Sequence, residues 1–217
     1  MRVFIGYDSR EPIAFHVLAH SIMRRASRPV EIVPLIQSQL RQCGLYTRER
    51  DPRESTEFSL TRFLVPHLAG ESVSVFMDCD MLCLCDIWEL AHLYMPVNVV
   101  KHDYTPRNTT KFLGQEQTVY PRKNWSSLMV FDALRCLRPA YVNSAPALDL
   151  HRFAWIGDEH IGTLEPEYNW LVGEYGKIRN PKILHFTNGG PWFPDYANCD
   201  YADWWRDEAR DAGMLNG

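Results

Sequence analysis

The chain has 217 residues, 46% hydrophobic and 23% charged, which is enough apolar material for a real core and excludes disorder as the main state. Its net charge of −4 argues against a dedicated nucleic-acid binder, which needs a basic field to displace the counterions of phosphates. There is no run of about 18 apolar residues, so no transmembrane helix is expected, and Asp8 comes too early for a secretory leader.

Residues 2–7 (RVFIGY) read as a buried first strand ended by Asp8 and Ser9. Pro12 suits a first helical turn, and Ile13, Ala14, Val17, Leu18 and Ile22 recur at helical spacing up to Arg25. Residues 30–36 read as a second strand, with Pro34 placing it at an edge. This β-α-β opening predicts a sheet with helices on its faces. Residues 40–56 are polar and Arg-rich and read as a surface loop, either over a ligand site or inert. Residues 57–68 look helical as far as Val65, with Pro66 ending or kinking the helix. Residues 73–77 read as a central strand running into Asp78-Cys79-Asp80, and a short helix capped by Asp86 is expected at 86–94. Further strands are expected at 97–101, 127–131 and 182–186, and a terminal helix at 200–211 with Asp200 near its cap. With no linker or repeat in view, residues 1–217 are expected to form a single domain. Six cysteines are too few for a disulfide scaffold, and the spacing of Cys79, Cys83 and Cys85 lacks the paired C-x2-C of a zinc ribbon. Reduced thiols and a cytoplasmic location are therefore the expectation.

Asp8 follows the first strand, Asp78 and Asp80 follow the strand at 73–77, and His185 falls near the end of the strand at 182–186. Ligands of open α/β sheets bind beyond the carboxyl ends of the strands, so these groups are expected to converge. In extended chain, residues i and i+2 share a side, so Asp78 and Asp80 face one cavity while Cys79 faces away. Two carboxylates so close favour a bound divalent cation, Mg²⁺ or Mn²⁺, and an added imidazole shifts the preference toward Mn²⁺. Taken alone, Asp-x-Asp is also the look of a solvated turn pair, and His185 that of a hydrogen-bonded structural histidine.

The words FSLTRFLVP, VFMDCDMLCLCDIWEL, NWSSLMVFD, GDEHIGTLEPEYNW and ILHFTNGGPW follow in that order. Together they resemble the retaining glycosyltransferases of family 8, the glycogenin and lipopolysaccharide galactosyltransferase group, and look closest to its short bacterial members. The resemblance runs from Ile5 to about Trp192. It implies a GT-A fold, a Rossmann-like, mostly parallel mixed sheet flanked by helices, with Mn²⁺ (or Mg²⁺) as cofactor and a UDP-sugar as donor. It implies Asp78, Asp80 and His185 as metal ligands, with Asp78 also near the ribose. Gly6, Tyr7 and Asp8 at the end of the first strand would meet the nucleotide base, and Arg62 the nucleotide or donor sugar. Ser126 and Ser127 match the family's Asn-Ala-Gly segment loosely and are small enough for close approach to the sugar. Trp125 suits stacking on a sugar, and Trp170 and Trp192 fall in matched words; burial is the alternative use of each.

The family's Asp-Gln pair near the reacting carbon falls at Asp158-Glu159, the candidate catalytic carboxyls, or one place later at Glu159-His160; Glu in place of Gln suits a nucleophile or a surface carboxylate. The late segment HFTNGGPW lacks the family's Lys before Pro-Trp and is one residue shorter. The backbone N–H groups of Asn188, Gly189 and Gly190 are an anion nest in its place, with Lys101, Arg62 or Lys111 as the source of the missing charge. The activity implied is sugar transfer from a UDP-sugar to a glycan or other hydroxyl acceptor, with retention of configuration. Retention requires front-face attack assisted by the leaving phosphate or a covalent sugar on Glu159 or Asp158. A sugar-phosphate nucleotidyltransferase is an alternative, disfavoured because IGYDSREP has one Gly where a Gly-rich phosphate loop would stand. A non-catalytic nucleotide-sugar binder is another. Trp204 and Trp205 are expected to dock the last helix; with Arg206 they also suit a homo-oligomer or peripheral membrane contact.

Overall fold

Six strands form the main sheet of the computed structural model, which describes residues 1–51, 54–70, 73–93, 95–117, 119–132 and 137–215. β1 (Arg2–Gly6) runs parallel to β2 (Glu31–Leu35) on one side and to β3 (Ser74–Met77) on the other. β8 (Leu128–Phe131) lies antiparallel to β3 and to β5 (Val97–Val99), and β9 (Ile161–Thr163) closes the far edge parallel to β5. The order β2-β1-β3-β8-β5-β9 is a mixed, mostly parallel sheet. β2 is an edge, where Pro34 costs no ladder bond on its outer side.

α1 (Pro12–Arg25) has the expected limits, with Pro12 in its first turn and Arg24 and Arg25 in its last. Its buried face (Ala14, Phe15, Val17, Leu18, Ala19, Ser21, Ile22) covers the sheet. Each buried Leu, Ile or Val there stabilises by roughly 1.5–3 kcal/mol relative to exposure. After β2 the chain forms α2 (Gln37–Gln42), whose last three residues fall in the segment expected to be loop. The rest of that segment is not all surface: Tyr46, Glu54 and Thr56 are buried, Tyr46 as part of the main core.

Residues 61–64 form a 3-10 turn that passes into α3 (Val65–Ala69), with Pro66 in its first turn. Pro66 therefore opens a helix instead of ending one, because its missing N–H falls among donors that have no intrahelical partner. The Asp86 carboxylate accepts the Trp88 N–H at 3.1 Å and caps a 3-10 turn at Ile87–Ala91; residue 94 of the expected helix lies outside the described residues.

β4 (Met81–Cys83) has no counterpart in the expectations. It joins a second sheet of order β10-β11-β4, in which β10 (Trp170–Leu171) is parallel and β4 antiparallel to β11 (Ile183–His185). A two-stranded hairpin, β6 (Thr110–Lys111) and β7 (Gln115–Glu116), turns through Leu113 and Gly114, both at positive φ. α4 (Pro139–Ser144) and α5 (Ala147–His151) precede β9.

α6 (Ala202–Asp211) closes the described chain. Its N-cap is Tyr201 in the left-handed region, with Asp200 one residue before it. Trp205 is 2% exposed and packs on Trp192, whereas Trp204 is 43% exposed, so Trp205 is the residue that docks the helix. The buried Glu208 ties α6 to α1 by meeting His20 at 2.6 Å and Arg25 at 2.7 Å. Among the described residues no helix is long and apolar enough to cross a membrane.

Candidate functional site

β3 ends at Met77, and the chain turns at Cys79 and Asp80 before β4 begins at Met81. Antiparallel pairing sets His185 opposite Met81, and the Phe186 N–H donates to the Asp80 carbonyl at 2.8 Å. The imidazole is thereby brought beside the carboxylates from a hundred residues away. Ligand atoms of Asp78, Asp80 and His185 all lie within 4.8 Å of one another. The extended-chain argument for Asp-x-Asp is replaced by a turn with the same result: both carboxylates line the cavity, and the buried Cys79 thiol points to Glu11 Oε1 at 3.6 Å.

A hydrogen-bond chain fixes the imidazole. The Ser127 hydroxyl donates to the Asn124 carbonyl at 2.7 Å and so accepts from Asn169 Nδ2 at 2.8 Å. Asn169 Oδ1 therefore faces His185 Nδ1 at 3.0 Å, and Nδ1 carries the proton. Nε2 is directed at Asp80 Oδ1, 3.4 Å away. Asp80 Oδ1 is buried and accepts no hydrogen bond. A buried orphan oxygen next to an oriented imidazole nitrogen suits a cation with oxygen and nitrogen ligands, so the residues present fit a divalent metal.

Burial works against the charge of Asp80, but His185 and Lys111 more than offset it and hold its carboxyl below the usual range. Burial raises Asp78 to about 6, with Asp80 adding to the rise against the pull of Arg62. Arg62 Nη1 lies 2.8 Å from Asp78 Oδ1 and donates to the Ser126 carbonyl at 2.9 Å, and its guanidinium sits over the rings of Phe58 and Phe76.

These groups line a cavity of about 540 Å³, within the size range of small-molecule sites. Arg62, Asp78, Asp80, Ser126 and His185 come together in its wall as the sequence predicts. So do Arg48, Asp51 and Glu54 of the polar segment expected over a ligand, whose residues 52 and 53 lie outside the described ones. A more open depression of about 560 Å³ beside the start of α6 includes Trp204 and Arg206 but none of the carboxylate–imidazole group.

Several expected site residues stand elsewhere. A Cβ on Gly6 would lie 2.4 Å from the Phe58 ring, so this glycine admits an aromatic side chain over the end of β1. Asp8 is fully buried; it accepts from Arg10 at 2.5 and 2.9 Å and from the Glu57 N–H at 3.2 Å. Burial opposes its charge, and the Arg10 bonds outweigh that and keep its carboxyl low. Tyr7 packs edge-on against Phe15. None of the three lines the cavity. Ser127 serves the Asn169 relay from behind the wall.

Asp158 and Glu159 form an exposed turn before β9 and are absent from the cavity wall. Both Asp158 oxygens accept from Arg122 at 2.7 Å, and Glu159 lies 3.5 Å from His160. In the Asn188–Gly190 turn the Gly189 N–H donates to the Phe186 carbonyl at 2.8 Å, and the Asn188 side chain is held between Gln117 and Glu174. Trp125 donates to the His102 carbonyl at 2.8 Å and packs on Phe153; Trp192 donates to Glu11 at 3.1 Å, and Trp170 to the Gly176 carbonyl at 3.0 Å.

Sequence reasoning missed Asn169, although it lies inside a matched word, and missed His151, Tyr120 and Lys123 of the cavity wall. His151 Nδ1 shares a hydrogen bond with Ser126 Oγ at 2.9 Å. Burial, with Arg62 and two lysines nearby, presses its imidazole down to about 3, so it is neutral.

No protein-family model matches the chain. Protein CDI of Arabidopsis thaliana is 47% identical to it over 228 residues, spanning 99% of this chain and 88% of that protein. Among solved structures, galactosyltransferase LgtC, in complex with donor and acceptor sugar analogs, superposes with a TM-score of 0.59 at 9% identity over 100% of this chain and 97% of LgtC. The bifunctional glycosyltransferase WbbM gives a TM-score of 0.60 at 16% identity over 96% of this chain, which spans only 49% of WbbM. The chain belongs to the family of Arabidopsis protein CDI and carries the GT-A fold of the family 8 glycosyltransferases.

Proposed function

We propose that the protein moves a sugar from a UDP-sugar to a hydroxyl acceptor, with Asp78, Asp80 and His185 holding a divalent cation, Mn²⁺ in the first instance. The observation that carries this reading is the Asp78–Asp80–His185 cluster in the wall of the cavity, with its orphaned Asp80 oxygen and its Asn169-oriented imidazole. The fold likeness to LgtC supports a nucleotide-sugar donor.

When bound, the cation supplies charge neutralisation for the departing nucleoside diphosphate. Asp80 and His185 present one oxygen and one nitrogen to it without rearrangement, since Asn169 has already chosen the tautomer. Arg62 pulls the Asp78 carboxyl down against burial and ties it to the Ser126 segment. In the transfer itself the acceptor oxygen bonds to the anomeric carbon as the bond from that carbon to the phosphate oxygen breaks. The electron pair leaves with UDP. Retention with front-face attack has the acceptor proton pass to that leaving oxygen. The placement of Asp158 and Glu159 outside the cavity wall favours this route over a covalent sugar on either carboxylate.

The test is UDP release from a panel of UDP-sugars, each with a hydroxyl acceptor, with and without Mn²⁺. Release is expected with Mn²⁺ and lost in Asp80→Ala and His185→Ala proteins. Undiminished turnover in those variants would remove the basis of the reading.

A further inference from the structure

We propose that Lys111, delivered by the β6–β7 hairpin, is the side chain that meets the donor diphosphate. The assignment rests on the glycosyl-transfer reading above and says which of this chain's cations completes the site.

The turn after β11, residues 186–193, carries no basic side chain. One backbone N–H of its Asn188–Gly190 stretch is also committed. Gly189 N–H closes the turn onto Phe186, and Gly190 is packed so tightly that a Cβ would lie 2.0 Å from the Trp192 ring. This turn instead serves as the dock for the hairpin. Phe112 N–H donates to the Asn188 carbonyl at 2.8 Å, and Gln117 Nε2 donates to Asn188 Oδ1 at 2.8 Å. The Phe112 ring stacks on Phe193 with centroids 5.2 Å apart and planes 14° from parallel. Lys111, next to Phe112, is thereby held in the cavity wall with Asp78, Asp80 and His185.

The sequence named two other cations for this role. Arg62 is committed to Asp78 and the Ser126 carbonyl. Lys101 lies outside the cavity wall, with its ammonium 5.8 Å from the Trp125 ring centroid. Lys111, its Nζ 5.4 Å from the Phe112 ring centroid, instead feels the charges of Asp80 and Asp78 across the cavity.

The charge balance points the same way. The wall contains Arg48, Arg62, Lys111 and Lys123 against Asp51, Glu54, Asp78 and Asp80, which cancel. A divalent cation then leaves two positive charges, which the two charges of a sugar diphosphate match. Removing Lys111 leaves one phosphate charge uncompensated. With the cation on Asp78 and Asp80, the attraction that holds Lys111 toward them weakens and its ammonium turns to the phosphate oxygens.

The experiment measures binding of UDP and of uridine by calorimetry in saturating Mn²⁺, and of Mn²⁺ alone by electron paramagnetic resonance. Wild type, Lys111→Met, Lys111→Arg and Lys101→Met are compared. Lys111→Met is expected to weaken UDP by about tenfold to a hundredfold, the scale of a charge-assisted hydrogen bond. Uridine affinity should be unchanged, Mn²⁺ affinity should be equal or higher because a facing cation is lost, Lys111→Arg should restore most of the UDP affinity, and Lys101→Met should match wild type. A Lys111→Met protein that binds UDP as tightly as a binding-competent wild type overturns the assignment alone. A wild type that binds no UDP overturns the glycosyl-transfer reading and the assignment with it.

Discussion

Glu11, the residue that precedes α1, is a carboxyl whose burial makes a specific demand on stability. It is 2% exposed, accepts Trp192 Nε1–H at 3.1 Å and faces the Cys79 thiol at 3.6 Å. Burial, then the charges of Asp80 and Asp8, raise its carboxyl from the ordinary 4.5 to about 8, against the Trp192 hydrogen bond. Below about 4.5 both folded and unfolded chains hold the proton and Glu11 exerts no drag. Between about 4.5 and 8 the folded protein keeps the proton while the unfolded chain has released it. Stability therefore falls as pH rises, by about 1.4 kcal/mol per unit, and the loss is complete once pH passes the folded value. Glu11→Gln keeps the shape and an acceptor for Trp192 but cannot ionise. Urea unfolding in EDTA, followed by Trp fluorescence from pH 5 to pH 8, isolates the effect as the difference between the two proteins. That difference should grow in favour of the variant by about 4 kcal/mol across the range, at the order-of-magnitude level. Parallel pH profiles would show that Glu11 ionises normally in the folded state and would refute the reasoning.

Asn169→Leu removes the acceptor of His185 Nδ1–H at 3.0 Å, and Mn²⁺ affinity, read by titration, is expected to fall about 10–100-fold while circular dichroism stays unchanged. Gly6→Ala places a methyl 2.4 Å from the Phe58 ring; chemical denaturation should report a loss of about 1–3 kcal/mol. Trp205→Ala, at a 2% exposed position between α6 and Trp192, should cost about 3–5 kcal/mol, whereas Trp204→Ala, 43% exposed, should stay within about 0.5 kcal/mol in the same assay.

The sequence by itself determined whatever depends on period and near neighbours. The apolar spacing and Pro12 set the limits of α1, the unbroken hydrophobic runs marked β1, β3, β8 and β11, and Pro34 marked an edge. Asp78, Asp80 and His185 were legible because each follows or ends such a run. Tertiary structure decided what depends on distant partners. β4 is too short to stand out and exists because β11 pairs with it; that pairing carries His185 to Asp80. Gly6 and Asp8 looked open to a ligand until Phe58 and Glu57 came over them from another part of the chain and the neighbouring Arg10 folded back on Asp8. Pro66 gives one sequence signal for both a helix start and a helix stop, and only the 3-10 turn before it selects the start. Asn169 acquires its role from Asn124, Ser127 and His185 together, three residues no local window contains. Hydrophobic period acts over a few residues and can be read along the chain, whereas a buried polar group takes whichever partner the folded packing brings within about 3 Å.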